Sequence, residues 1–295
     1  MTPRAPRIDA HQHYWSVAHR DYGWLEPTPA LSAIYRDFGP ADLQPHLDAA
    51  GIAATVLVQA APSEDETRRL LQLAMTPGSR VAGVVGWCNL LRADASQRIE
   101  RLAAQPRFKG LRPMLQDLDD PRWILQPSLR PAIETMVRQG LVFDALVKGT
   151  AQLDALCEFA LEHAALRIVL DHGAKPPIAS GALAEWREGI SRLARAPNVW
   201  CKLSGLVTEA GVDWSVAGLK PCVQHLLTEF GAQRLIWGSD WPVVNLAADY
   251  DAWWVASVEL LGGLTAMQRE QVFGLNAVRC YALEVDPSGA ASSVV

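Results

Sequence analysis

Cysteine is scarce and poorly placed for cross-linking. The chain has five, Cys88, Cys157, Cys201, Cys222 and Cys280, far apart, odd in number and never in a Cys-x-x-Cys pair. That spacing excludes a disulfide framework and a zinc ribbon, and it points to buried thiols in a reducing compartment. Clusters of Lys and Arg are also missing and the net charge is −5, so nothing in the sequence provides an electrostatic footprint for nucleic acid or an anionic membrane surface. No apolar run approaches the roughly 20 residues that span a bilayer. The opening, Met1 to Arg7, is polar and basic but leads into Ile8-Asp9-Ala10-His11 without the apolar stretch and cleavage site of a secretory signal. The expectation is a cytoplasmic protein that acts on a small molecule and binds neither nucleic acid nor membrane. Whether it forms a homo-oligomer is left open.

What is present is an ordinary globular balance, 49% apolar and 20% charged over 295 residues, enough for a large core. Short β-branched runs alternate with amphipathic segments. The strands are expected at Ile8 to Trp15, Thr55 to Ala60, Val81 to Cys88, Lys109 to Met114, Leu141 to Val147, Arg167 to Gly173, Val199 to Gly205 and Arg234 to Asp240. Helical patterns lie between them, from Pro40 to Ala50 through to Tyr250 to Leu261, with a closing helix over Thr265 to Leu283. Eight strand-helix units predict a (β/α)₈ TIM barrel, a fold that runs to about 250 residues as one domain. Residues 1–283 are therefore read as a single barrel, and 284–295 as a flexible tail. A doubly wound sheet would carry a glycine-rich turn after its first strand. Here that strand ends in His11-Gln12-His13-Tyr14-Trp15, followed by a long aromatic connection, Ser16 to Gly39, read as a lid or wall over the site.

Active sites of barrels lie at the C-terminal ends of the strands. Those ends offer His11 and His13, Arg112, Asp144, Asp171 and His172, Lys202, and Asp240. His11 and His13, two apart on a strand, point to one face and can reach one metal ion or one substrate oxygen. Trp24, Tyr14 and Trp241 offer flat walls for a ring, with core packing as the competing reading. His46, His163 and His225 read as structural or surface residues, and His19 is left undecided. Ser204 and Ser239 lack a Gly-x-Ser-x-Gly context, which argues against covalent serine catalysis.

Asp9-Ala10-His11-Gln12-His13, Gly110-Leu111-Arg112, Leu170-Asp171-His172, Gly238-Ser239-Asp240-Trp241-Pro242 and Asn276-Ala277-Val278-Arg279-Cys280-Tyr281 resemble the amidohydrolase superfamily, in its sugar-lactonase branch. The resemblance covers residues 8 to about 283 in order along the chain. The loop sequences Tyr22-Gly23-Trp24-Leu25 and Tyr35-Arg36-Asp37-Phe38 look like those of L-fuconolactonases and L-rhamnonolactonases. It implies a distorted barrel that opens lactones or related carbonyl compounds. Two departures matter. Binuclear members bridge their metals with a fourth-strand Lys or Glu, and most members carry a fifth-strand His. Gly110-Leu111-Arg112-Pro113 and Phe143-Asp144-Ala145 stand there instead. At most one divalent ion, zinc by preference, is expected on His11, His13 and Asp240, and catalysis without metal is equally open.

The expected activity is hydrolysis of an L-fuconolactone-like sugar-acid lactone to the open aldonate, in carbohydrate catabolism. Asp240 would activate water, and His11, His13 and His172 would polarise the carbonyl. Arg112, Lys202, Asp144, Trp24 and Tyr14 would bind substrate, with a structural ion pair to Asp144 or Asp171 as the rival role for Arg112 and Lys202. Alternatives are a hydrolase of a carboxylated lactone (pyrone dicarboxylate or muconolactone type), a metal-dependent decarboxylase, and a non-catalytic barrel that binds a sugar acid.

Overall fold

The computed structural model describes residues 5–285, so Met1 to Arg4 and the tail from Asp286 to Val295 lie outside the described residues. Eight strands occur in chain order: β1 Arg7–Gln12, β2 Ile52–Val58, β3 Val81–Gly86, β4 Phe108–Leu111, β5 Val142–Ala145, β6 Arg167–Leu170, β7 Val199–Leu203 and β8 Leu235–Trp237. Every neighbouring pair is parallel, in the order β1 to β8. The segment after β8 closes the ring on β1: the Asp240 amide donates to the His11 carbonyl at 2.8 Å and the His13 amide to the Trp241 carbonyl at 2.7 Å. The strands read as near-continuous apolar runs because both faces are buried. Ile8, Val56, Val85, Val142, Val169 and Ile236 fill the barrel, while the other strand face packs on the helices.

The helices are α1 Pro40–Ala50, α2 Glu64–Ala74, α3 Ala95–Ala103, α4 Arg130–Arg138, α5 Gly149–Glu162, α6 Ala184–Leu193, α7 Leu206–Ala210, α8 Val216–Phe230, α9 Tyr250–Leu260, α10 Ala266–Glu270 and α11 Asn276–Tyr281. α2 starts where a cap predicts, with Ser63 Oγ accepting from the Glu66 amide and three acidic residues in the first turn. α11 plugs the lower end of the barrel. Ala277, Cys280 and Tyr281 join the interior cluster, and Arg167 and Lys109, near the lower ends of β6 and β4, donate to the carbonyls of Cys280 and Ala282. Among the described residues no helix is long and apolar enough to cross a membrane.

All eight expected strands form, but every one stops short of its expected C-terminal end. β6 ends at Leu170, not Gly173, because His172, Gly173, Ala174 and Lys175 all take left-handed backbone, φ 50 to 61°. Such a run cannot continue a ladder, and in non-glycine residues it marks a functional turn. The closing helix forms as one unbroken helical run from Ala266 to Tyr281, in which a π-helical turn over Gln271–Leu275 joins α10 to α11. There Gly274 faces the Pro6 carbonyl so closely that any Cβ would collide with it. α7, directly after β7, was not expected. The connection from Ser16 to Gly39 is held to the barrel at its base and at Trp24. Trp15 and Phe38 pair their backbones across its base at 3.0 and 2.9 Å, and Trp24 Nε1–H donates to the Ala60 carbonyl at 2.7 Å.

Candidate active site

β1 carries one more residue than β2 between Asp9, opposite Thr55, and Gln12, opposite Leu57. This bulge re-aims the strand end at the site. His13 Nδ1–H donates to the Val58 carbonyl at 2.8 Å, so its Nε2 presents a lone pair, 3.2 Å from His11 Nε2. His172 reaches the same point from its left-handed turn, its Nδ1 hydrogen-bonded to Ser204 Oγ at 2.8 Å. Gly205 lies against that ring, and a Cβ there would approach His172 Nδ1 to 2.7 Å. Asp240, itself at φ 60°, completes the cluster. Its Oδ1 lies 3.5 Å from His13 Nε2, 3.7 Å from His11 Nε2 and 3.8 Å from His172 Nε2. Arg112 enters from β4, with Nη1 3.5 Å from His11 Nε2 and 3.4 Å from Asp171 Oδ2. Gln59 clamps it, accepting from Nη2 on both its backbone and side-chain oxygens and donating from Nε2 to the Arg112 carbonyl.

One layer deeper, Lys202 Nζ sits 2.5 Å from Asp144 Oδ2, 3.0 Å from Asp171 Oδ1 and 3.0 Å from His11 Nδ1. Tyr281 of the α11 plug donates to Asp144 at 2.9 Å. Lys202, Asp144 and Asp171 are fully buried. Burial alone would discharge the lysine, but Asp144 and Asp171 hold its ammonium above its ordinary value. Burial pushes Asp144 up to about 6. The imidazoles move the other way. Burial pushes His172 down to about 4 and His13 also down, and burial plus Lys202 push His11 far below its usual range. Burial opposes charge on Asp240, yet the surrounding imidazoles, His172 first, outweigh it and hold the carboxyl below the ordinary range. At neutral pH the site is an ionised carboxylate among uncharged rings.

The structure thus brings His11, His13, His172, Asp240 and Arg112 together. Lys202 and Asp144 stand beneath them, in a buried ion-paired network that includes Asp171. Trp24 is half-buried in the wall, while Tyr14 is buried and meets Trp241 edge-on with centroids 6.1 Å apart. His46 pairs with Asp251 and stacks on Tyr250, and His225 meets the Arg187 carbonyl, both away from the cluster. Sequence reasoning missed the residues that hold the site from behind. Asp9 accepts from the His11 and Ser239 amides at 3.2 and 2.9 Å, tying β1 to the end of β8, and burial pushes it up to about 6. Glu66 of α2 accepts from the Ala60 and Ala61 amides and so fixes the chain beside Gln59; burial pushes it up to about 7. Lys175, three residues past His172 and 3.8 Å from Glu209, was also overlooked. A polar residue directly after an apolar strand was the available signal for Gln59.

Ligand atoms of His11, His13 and Asp240 lie within 4.8 Å of one another, as do those of His11, Asp171 and His172. Two imidazoles and a carboxylate are a nitrogen-and-oxygen donor set suited to one divalent ion such as zinc. The His13 lone pair already faces the point of convergence. His11 Nδ1 faces the Lys202 ammonium at 3.0 Å as an acceptor; freeing Nε2 for an ion requires the other tautomer, with an Nδ1 proton directed to Asp171 Oδ1, 3.5 Å away. The residues present therefore fit a single ion.

A barrel of this topology with His-x-His at the end of β1, an imidazole after β6 and a carboxylate after β8 defines a hydrolase class, and the chain belongs to the amidohydrolase family, whose model matches residues 8–283. It is 50% identical over 287 residues to an L-fucono-1,5-lactonase of Burkholderia ambifaria, covering 96% of this chain and 97% of that protein. An L-fucono-1,5-lactonase of Burkholderia multivorans is 38% identical, with 95% and 97% covered. A crystal structure of a Burkholderia multivorans amidohydrolase with bound zinc superposes with a TM-score of 0.90 at 37% identity, covering 95% of this chain and all of that one.

Proposed function

We propose that this chain hydrolyses a six-membered sugar-acid lactone, of the kind named for its relatives as L-fucono-1,5-lactone, to the open aldonate. The observation that carries the reading is Asp240: a buried, ionised carboxylate with three uncharged imidazole nitrogens between 3.5 and 3.8 Å of one oxygen. A binding site for a polyol acid needs no such group, whereas a hydrolase needs a base beside donors for a developing oxyanion.

Asp240 takes a proton from water as the oxygen attacks C1. Arg112 Nη1, with His11 and His172 donating from Nε2–H, stabilises the negative charge that develops on the carbonyl oxygen, whereas the His13 Nε2 lone pair can only accept. The tetrahedral centre then expels the ring oxygen, which receives the proton held on Asp240, and the product leaves as the hydroxy acid, ionised to the aldonate. A zinc ion on His11, His13 and Asp240 would supply Lewis-acid polarisation of the same carbonyl. Lys202 and Asp144, expected to touch substrate, are sealed from it by the layer above and act as positioning residues through His11. Arg112, Trp24 and Lys175 remain to orient the sugar. We assign the enzyme to the cytoplasm, in line with five unpaired cysteines.

A carboxylated lactone would demand more cations. Arg36, the loop cation that could serve, pairs with Asp42 at 2.9 Å and stacks over Phe38, and Lys202 is enclosed. The test is indicator-coupled hydrolysis of L-fucono-, L-rhamnono-, L-galactono- and D-aldonolactones beside a pyrone dicarboxylate, before and after chelation. The reading requires turnover on an L-sugar lactone; activity on the pyrone alone would refute it. Loss on chelation would assign a metal to the reaction.

A further inference from the structure

A cavity of about 450 Å³ opens beside the site, on the mouth side of β2, β3 and β4. Its lining begins at Pro113, next to Arg112, and shares Trp24 with the wall. Three half-buried tryptophans from three separate connections meet there: Trp24 after β1, Trp87 after β3, and Trp123 in the 3₁₀ turn after β4. Trp24 and Trp123 pack one face on the core, and with Trp87 they leave aromatic surface exposed inside a concave mouth, where it can cover a ligand. Trp24 spends its indole N–H on the Ala60 carbonyl, but the indole N–H groups of Trp87 and Trp123 donate to no protein group among the described residues. Asn89 uses only its side-chain oxygen within the chain, for the Leu91 amide, and the exposed Asp117 carboxylate has no protein donor among the described residues. The pocket thus combines flat apolar faces with uncommitted donors and one anionic acceptor at its rim. That pairing suits a pyranose ring, whose C–H face lies on an aromatic and whose vicinal hydroxyls need both donors and acceptors. The cavity's volume lies within the roughly 300–1,000 Å³ of small-molecule pockets, and none of His11, His13, Arg112, His172 or Asp240 lines it, so a lactone ring at Asp240 leaves it unfilled.

We propose that this pocket is a second sugar subsite, and that the enzyme opens lactones of sugar acids carrying an O-linked pyranose. The inference rests on the lactonase reading. Only the C1 ester bond breaks; water supplies the hydroxyl to C1 and the proton to the ring oxygen, and the glycosidic bond is untouched.

The experiment compares kcat/KM for L-fucono-1,5-lactone with that for the same lactone bearing a pyranosyl group at O2, O3 or O4, in the wild type and in Trp87→Ala and Trp123→Ala. At least one extended lactone should exceed the simple one by about tenfold, the reach of well-placed aromatic contacts. Each alanine variant should lose that preference and keep its rate on the simple lactone. Equal or lower kcat/KM for every extended lactone, with the simple one turned over, would overturn the subsite and leave the lactonase reading standing. If no lactone is opened, that reading fails, and quenching of tryptophan fluorescence by the pyranosyl L-fuconates decides the subsite alone. Saturable quenching that Trp87→Ala abolishes supports it, and its absence refutes it.

Discussion

At the scale of single residues, the site separates charge from neutrality by burial. His172 stays uncharged down to about pH 4 because burial penalises its protonated form more than Asp240 and Asp171 favour it. When His172 gains its proton near pH 4 it pairs with Asp240, 3.8 Å away, and weakens that base, so the acid limb of kcat/KM should fall there and not near the ordinary imidazole value; a limb centred on about 6.5 would contradict this. Gly205 makes a second test. Its φ is +66° and its missing Cβ is the room His172 occupies. Gly205→Ala should cost about 1–3 kcal/mol in urea unfolding and lower kcat, because the ring must move. His11, His13, His172 and Asp240 were legible because strand-end polar residues in a barrel face one mouth. Depth was not legible. Lys202 and Asp144 sit on the strands as the pattern requires, but nothing in the sequence says that they lie beneath His11 and not beside the substrate.

At the scale of elements, the strands were readable as apolar runs and their ends were not. Leu170 and Trp237 stop their strands because His172 and Asp240 adopt left-handed backbone, which composition does not report. α2 contributes chemistry as well as packing. Glu66, buried against two amides, has its carboxyl raised to about 7 from an ordinary 4.5. A carboxyl raised on folding stabilises fully below its unfolded value, and that contribution is lost as pH rises through the folded one. Glu66→Gln removes this dependence. Between pH 5 and pH 8 the wild type should lose more stability than the variant in paired urea titrations; parallel losses would show that the burial of Glu66 has no such consequence.

At the scale of the whole molecule, a column of polar contacts runs through an otherwise apolar barrel, from Tyr281 in the plug through Asp144 and Lys202 to His11 and Asp171. It links the closed lower end to the mouth. Lys202→Met would leave buried Asp144 without its cation and Asp171 with Arg112 alone, at an expected cost of about 3–5 kcal/mol. Asp144→Asn combined with Lys202→Met should recover part of it, and additive losses in the double variant would deny the coupling. The eight-unit barrel was legible from alternation alone, whereas this column was not, because Tyr281 and Asp144 are 137 residues apart. The most direct test of the account is pH-stat hydrolysis of L-fucono-1,5-lactone by the wild type and Asp240→Asn, with L-fuconate binding measured on both. The account predicts a fall in kcat of about 10²–10⁴-fold with binding retained; undiminished turnover in Asp240→Asn would contradict it.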